Sequence, residues 1–181
     1  MQLRDIWPPP GETKANVLEI GSGYGGFART LKCFHPDTRF WLADIPESLH
    51  CAEIYLRAAF PDATIAWQEV GAAETAHEAD FCLVPVVDAP QVLAGKHFDL
   101  AINVWSFGEM PNAFVNAWMK LVQQDCQVDW LFTINSFMAP VTPASVARTE
   151  VGDWLFGLDE RWEINAFEID PAVHRCPLIR N

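Results

Sequence analysis

Short apolar runs alternate with amphipathic stretches along the chain. Residues 17–20 form an apolar run of strand length that glycines end. Residues 24–34 carry Phe27, Leu31 and Phe34 at four- and three-residue spacing, a helical stripe closed by Pro36 and Asp37. Residues 40–43 predict a second strand, ended by Asp44-Ile45-Pro46. Residues 48–60 predict a second helix, with Leu49, Ala52, Leu56 and Phe60 on one stripe before Pro61. Residues 64–70 and 81–87 both read as strands, and the stretch 71–79 between them is polar and Ala-rich. A near-continuous apolar strand over 98–104 follows. Then come a helix over 112–124, facing in through Phe114, Trp118, Leu121 and Val122, and a strand over 128–134. The C-terminal part predicts a helix over 145–158 with Val151, Trp154, Leu155 and Leu158 on its apolar side, a strand over 162–169 and a short one over 177–179.

Strands and helices that alternate in this way, with the central strands apolar on both faces, predict an α/β fold. The architecture is a Rossmann-like, doubly wound, mostly parallel sheet. The two last strand-like runs have no helix between them and predict an antiparallel hairpin at the sheet edge. Residues 1–16 read as an N-terminal arm, since Pro8, Pro9, Pro10 and Gly11 block regular structure. Residues 17–181 read as one domain.

Composition narrows the function. The 181 residues carry 12 Lys+Arg against 24 Asp+Glu, a net charge of -12, with the positive residues scattered. That excludes a surface built to neutralise nucleic-acid phosphates or an anionic membrane. No apolar run reaches the roughly 20 residues of a membrane span, and the N-terminus has no signal-peptide core. The five cysteines, 33, 51, 82, 126 and 176, lack metal-pair spacing and read as reduced thiols of a cytoplasmic protein. The five histidines are unpaired by spacing, so no catalytic metal is expected. His97 belongs to the far end of its strand.

The chemistry centres on Glu19-Ile20-Gly21-Ser22-Gly23-Tyr24-Gly25-Gly26, between the first strand and the first helix. Glycines there permit a tight turn and close backbone approach to a ligand, and the helix start offers unpaired N–H groups. Asp44 ends the second strand, where a carboxylate can accept both ribose hydroxyls. The loop is compatible with two ligands. Gly21, Gly23 and Gly26 satisfy the dinucleotide pattern. Gly21, Gly23 and Gly25 after Glu19 satisfy the pattern of S-adenosylmethionine (SAM) binders. Three features favour SAM: the negative charge of Glu19 opposes a pyrophosphate, the chain leaves no room for a separate substrate domain, and neither Tyr24 nor Tyr55 has Lys four residues on.

Residues 17–26 resemble motif I of class I SAM-dependent methyltransferases. Together with Asp44-Ile45-Pro46-Glu47-Ser48-Leu49, residues 98–103 and Ser106-Phe107-Gly108-Glu109-Met110-Pro111, the chain resembles the sugar O-methyltransferase group over roughly residues 15–135. The resemblance implies methyl transfer to a hydroxyl of a small polar acceptor, such as a sugar or nucleotide-sugar. It implies SAM contacts from Glu19, Gly21, Gly23, Gly25, Asp44, Ile45 and Asn103. Members of such groups usually carry N-terminal segments that help close the acceptor site. Here the first strand starts near residue 17, so that part is missing or supplied elsewhere, by a partner segment or a second copy of the chain.

The ligand of an open α/β sheet lies beyond the carboxyl ends of its strands, so residues 103–109 face the methyl donor. Glu109 is the best-placed base for an acceptor hydroxyl, against the plainer role of a carboxylate at a helix start. Ser106 and Asn135 are candidate acceptor contacts. Trp105 could stack on a sugar or an adenine, although core packing is the commoner role of a tryptophan. Two other readings stand beside methyl transfer: a SAM-binding domain without turnover and a NAD-dependent oxidoreductase.

Overall fold

The structure, a computed structural model, describes residues 15–71, 78–135 and 157–163. Strand β1 (Asn16–Ile20) runs into a glycine turn and helix α1 (Gly26–Phe34). Strand β2 (Arg39–Asp44) leads into α2 (Pro46–Ala59), which starts with a proline in its first turn, where no backbone donor is needed. Then come β3 (Ile65–Trp67), β4 (Phe81–Pro85) and α3 (Ala89–Leu93). Strand β5 (His97–Val104), helix α4 (Asn112–Lys120) and β6 (Gln127–Ile134) follow. Helix α4 ends in a wider π-helical turn, Leu121–Asp125, closed by Cys126 N–H donating to Leu121 O at 2.8 Å.

The six strands form one sheet in the order β3-β4-β2-β1-β5-β6, and every pairing is parallel. A parallel sheet needs crossover connections that cover both faces with helices. One core layer packs Ala28 and Leu31 of α1 and Leu49, Ala52 and Leu56 of α2 against Val17, Phe40, Leu42, Leu83 and Ile102. The other packs Leu93 of α3 and Val115, Trp118 and Met119 of α4 against Leu18, Ile20, Ala43, Val84 and Ala101. The winding reverses between β1 and β5. Their following helices leave to opposite faces, and a crevice opens at the carboxyl edge. The register puts Ile20 opposite both Ala43 and Asn103, so the glycine turn, Asp44 and Asn103 reach that edge together.

Several expectations change. The strand expected over 64–70 contracts to Ile65–Trp67. The helix expected from residue 24 begins at Gly26, because Gly25 holds a left-handed conformation with φ 81°. Helix α3 was not expected; with five residues and Pro90 it is too short to show a periodicity. Residues 157–163 form a turn segment and not the end of a helix or the start of a strand. Gly157 there has φ 67°, Leu158 and Trp162 pack on the α3–α4 layer, and Asp159 N–H donates to Gln123 Oε1 at 2.8 Å. The N-terminal arm up to residue 14, the rest of the C-terminal helix and the antiparallel hairpin over 164–181 lie outside the described residues. No helix among the described residues is long and apolar enough to cross a membrane.

Candidate functional site at the carboxyl edge of the sheet

The glycine turn is the first part of the site. Gly21, Gly23 and Gly25 all have positive φ, at 72°, 55° and 81°, a conformation that L side chains resist. Gly26 does not, and it opens α1 as an ordinary helical residue. The alternating set is therefore the one the backbone requires. The three glycines differ in surroundings. A Cβ on Gly21 would lie 2.1 Å from Ser106 Oγ, and one on Gly25 would press on Leu56 at 3.2 Å. A Cβ on Gly23 would meet nothing within 4 Å, so this glycine borders open space.

Asp44 holds the turn. One carboxylate oxygen accepts from Gly23 N–H at 2.7 Å and the other from Ile45 N–H at 2.7 Å. Each oxygen keeps lone-pair capacity for a further donor. The neighbouring strand is tied in by Val86 N–H donating to Asp44 O at 2.9 Å.

Glu19 behaves differently from the sequence expectation. It is only 3% exposed, and its carboxyl points under α1, where Ala28 N–H bonds it. Burial, the dominant influence, and the nearby Asp44 push its pKa up to about 8, against the opposing Ala28 bond. The side chain is therefore mostly neutral at pH 7 and supplies little charge to the loop. Its Oε2 and the Ser22 hydroxyl are buried polar atoms with no partner among the described residues.

Beyond β5 a polar network fixes the next loop. Asn103, fully buried, donates from its amide to Ile20 O at 2.9 Å and to Ser106 Oγ. Ser106 Oγ donates to Ile20 O at 3.0 Å. Asn103 Oδ1 accepts from Phe107 N–H at 3.2 Å and from Asn135 Nδ2 at 2.9 Å. Asn135 also donates to Thr133 Oγ1 at 2.7 Å and accepts from Gly108 N–H at 2.9 Å. Asn103, Ser106 and Asn135 thus form one cluster, and their visible bonds go to the loop itself. Glu109 is exposed on that loop, and its N–H donates to Ser106 O at 3.0 Å.

Exposed apolar side chains gather along the same edge. Tyr24 follows β1, Ile45 follows β2, Val87 follows β4 and Trp105 follows β5. Sequence reasoning named Ile45 and Trp105 but missed Tyr24 and Val87. The available signal was an apolar residue just past a strand end, where solvent-facing turns are usually polar. The described residues also hold one group of metal-type donors, His97, Asp99 and Asp129, with donor atoms within 4.8 Å of one another. It lies on β5 and β6, with His97 at the amino end, remote from the glycine turn.

No protein-family model matches the chain, and no curated protein matches it. Solved structures with a similar fold include LepI in complex with SAH and a substrate analogue, 14% identical, covering 80% of this chain and 33% of that one, TM-score 0.49. A Pyrococcus horikoshii protein is 18% identical over 69% of this chain and 47% of its own, TM-score 0.48. The glycopeptide N-methyltransferase MtfA, solved with SAM, is 15% identical over 71% of this chain and 50% of its own, TM-score 0.46. The chain spans less than two thirds of the length of each. At these identities and scores the likenesses decide neither donor nor acceptor.

Proposed function

We propose that the chain is a SAM-dependent methyltransferase domain that methylates an oxygen of a small acceptor. The observation that carries the reading is the glycine turn: three alternating left-handed glycines, Gly23 open to the crevice, and its N–H held by Asp44. The residues present fit the donor. Asp44 has acceptor capacity for ribose hydroxyls, Ile45 and Val87 offer an apolar rim for a purine, and Gly23 leaves the space that any side chain would fill. The required glycine set also favours SAM over a dinucleotide, for which Gly26 would be the third glycine of the pattern.

When bound, the donor supplies an electrophilic methyl on a sulfonium. The chain's own part is alignment and proton removal. The Asn103–Ser106–Asn135 network sets the height of the 105–110 loop against the glycine turn. Glu109, exposed on that loop, takes the proton of the acceptor hydroxyl as the oxygen attacks.

Two results test this. Asp44→Ala will weaken SAM binding by about 1.5–3 kcal/mol, the scale of hydrogen bonds to a charged group, in a calorimetric titration. Parent-like affinity would remove Asp44 from the site. Glu109→Gln will keep SAM affinity and lower turnover by about a hundredfold to ten-thousandfold in a radiolabelled methyl-transfer assay. Unchanged turnover would leave catalysis to proximity alone.

A further inference from the structure

We propose that Trp105 is the recognition surface for the acceptor, and that the acceptor is a planar aromatic alcohol, a phenol, instead of a bare sugar. The inference rests on the methyltransferase reading above and names its substrate class.

The first observation is conformational. Trp105 has φ 66°, and it is the one non-glycine residue among those described with positive φ. A bulky side chain there is an outlier, and glycine or asparagine would sit without strain. Core packing is not the reason, since Trp105 is 44% exposed. The backbone is held in place from both sides: Trp105 N–H donates to Ile134 O at 2.7 Å, and the next residue, Ser106, is anchored to Ile20 O. The loop thus spends conformational energy to present an indole to solvent.

The second observation is position. In the strand order β2-β1-β5, Asp44 lies on one side of the glycine turn and Trp105 on the other. With the ribose held at Asp44, a donor extending across the turn toward β5 would bring its methyl end to Trp105 and leave its adenine on the far side.

The third observation is chemical. A sugar is held by amide and hydroxyl side chains that bond several of its hydroxyls. Those that the ends of β5 and β6 bring together here, Asn103, Ser106 and Asn135, are engaged with the loop. Both amide hydrogens of Asn135 go to Asn103 Oδ1 and Thr133 Oγ1, and its oxygen takes Gly108 N–H. Ser106 Oγ donates to Ile20 O and accepts from Asn103. Exposed here are the indole of Trp105, Ile134, 38% exposed, whose carbonyl accepts from Trp105 N–H, and the carboxylate of Glu109, while Met110 is half-buried on the α3–α4 layer. An aromatic ring stacks on the exposed indole, and one carboxylate, Glu109, serves its one hydroxyl.

The test uses the full chain saturated with S-adenosylhomocysteine, the unreactive product of the donor. 7-Hydroxycoumarin and methyl glucoside are titrated separately. The coumarin is expected to bind saturably and the glucoside not. Trp105→Ala is expected to raise the coumarin Kd about tenfold, the scale of a lost aromatic pair with its buried area, and Trp105→Phe to restore most of it. S-adenosylhomocysteine affinity stays at the parent value in both variants, and Trp105→Gly keeps its Tm within a few degrees. The proposal is overturned if the glucoside binds and the coumarin does not, or if neither binds. It is also overturned if Trp105→Ala leaves the coumarin Kd unchanged, or if the loss falls on the adenosyl ligand instead. If S-adenosylhomocysteine itself fails to bind the parent, the methyltransferase reading fails separately, and the coumarin titration of the apo chain still decides the role of Trp105.

Discussion

Gly21→Ala and Gly23→Ala, two residues apart, will fail in opposite ways. At Gly21 a methyl group would sit 2.1 Å from Ser106 Oγ and 2.3 Å from Ser106 Cβ. The left-handed conformation adds about 1–2 kcal/mol for any L side chain. Relieving the clash means moving Ser106 and breaking its bonds to Asn103 and Ile20, an overpacking cost of about 1–3 kcal/mol. The sum, about 2–5 kcal/mol, lowers Tm by roughly 10 °C in a domain of this size. At Gly23 the conformational cost is similar, but the methyl group projects into open space. That variant keeps most of its Tm and loses SAM affinity about tenfold to a hundredfold, the scale of a steric clash with a bound ligand. Thermal melts and SAM titrations of both variants check the pair. Equal Tm losses, or unchanged SAM affinity in Gly23→Ala, would mean that the two glycines do not divide into a packing position and a ligand position.

The second large effect concerns pH. Glu19 is buried with its pKa raised from 4.5 to about 8. Between those two values the folded chain holds a proton that the unfolded chain has released. Stability from this group is fully present below about pH 4.5 and declines as pH rises through about 8. The total change is on the order of 5 kcal/mol, from about 1.4 kcal/mol per pKa step. Glu19→Gln keeps the shape and the acceptor for Ala28 N–H but cannot ionise. Urea unfolding at pH 6 and pH 9 will therefore show a steep loss for the parent and a shallower one for the variant, which becomes the more stable chain at pH 9. Parallel losses in the two proteins would show that Glu19 is solvated.

How much of this was legible in the chain depends on the range of the interactions. Strands β1, β2, β5 and β6 were readable because each is an apolar run with a punctuating residue at its end, such as Gly21 or Asp44. The glycine turn and Asp44 were readable for the same local reason. The order of β3 and β4 was not. Both are apolar, and only the fold shows that β4 pairs with β2 and leaves β3 at the edge. The neutral state of Glu19 was not readable either, since it follows from α1 packing over the side chain. The bonding of Ser106 and Asn135 joins the ends of three strands, β1, β5 and β6, and no spacing along the chain encodes it. Trp105 was visible as an aromatic by the site, but its left-handed backbone appears only in the fold. The sugar expected of the acceptor came from resemblance alone, and the amide and hydroxyl groups of Asn103, Ser106 and Asn135 bond within the loop.

The most direct test of the central claim is a calorimetric titration of the full chain with SAM, with NAD under the same conditions. SAM is expected to bind saturably at one site, more weakly in Gly23→Ala and in Asp44→Ala, with no saturable heat from NAD. Binding of NAD with SAM silent, or silence from both, would contradict it.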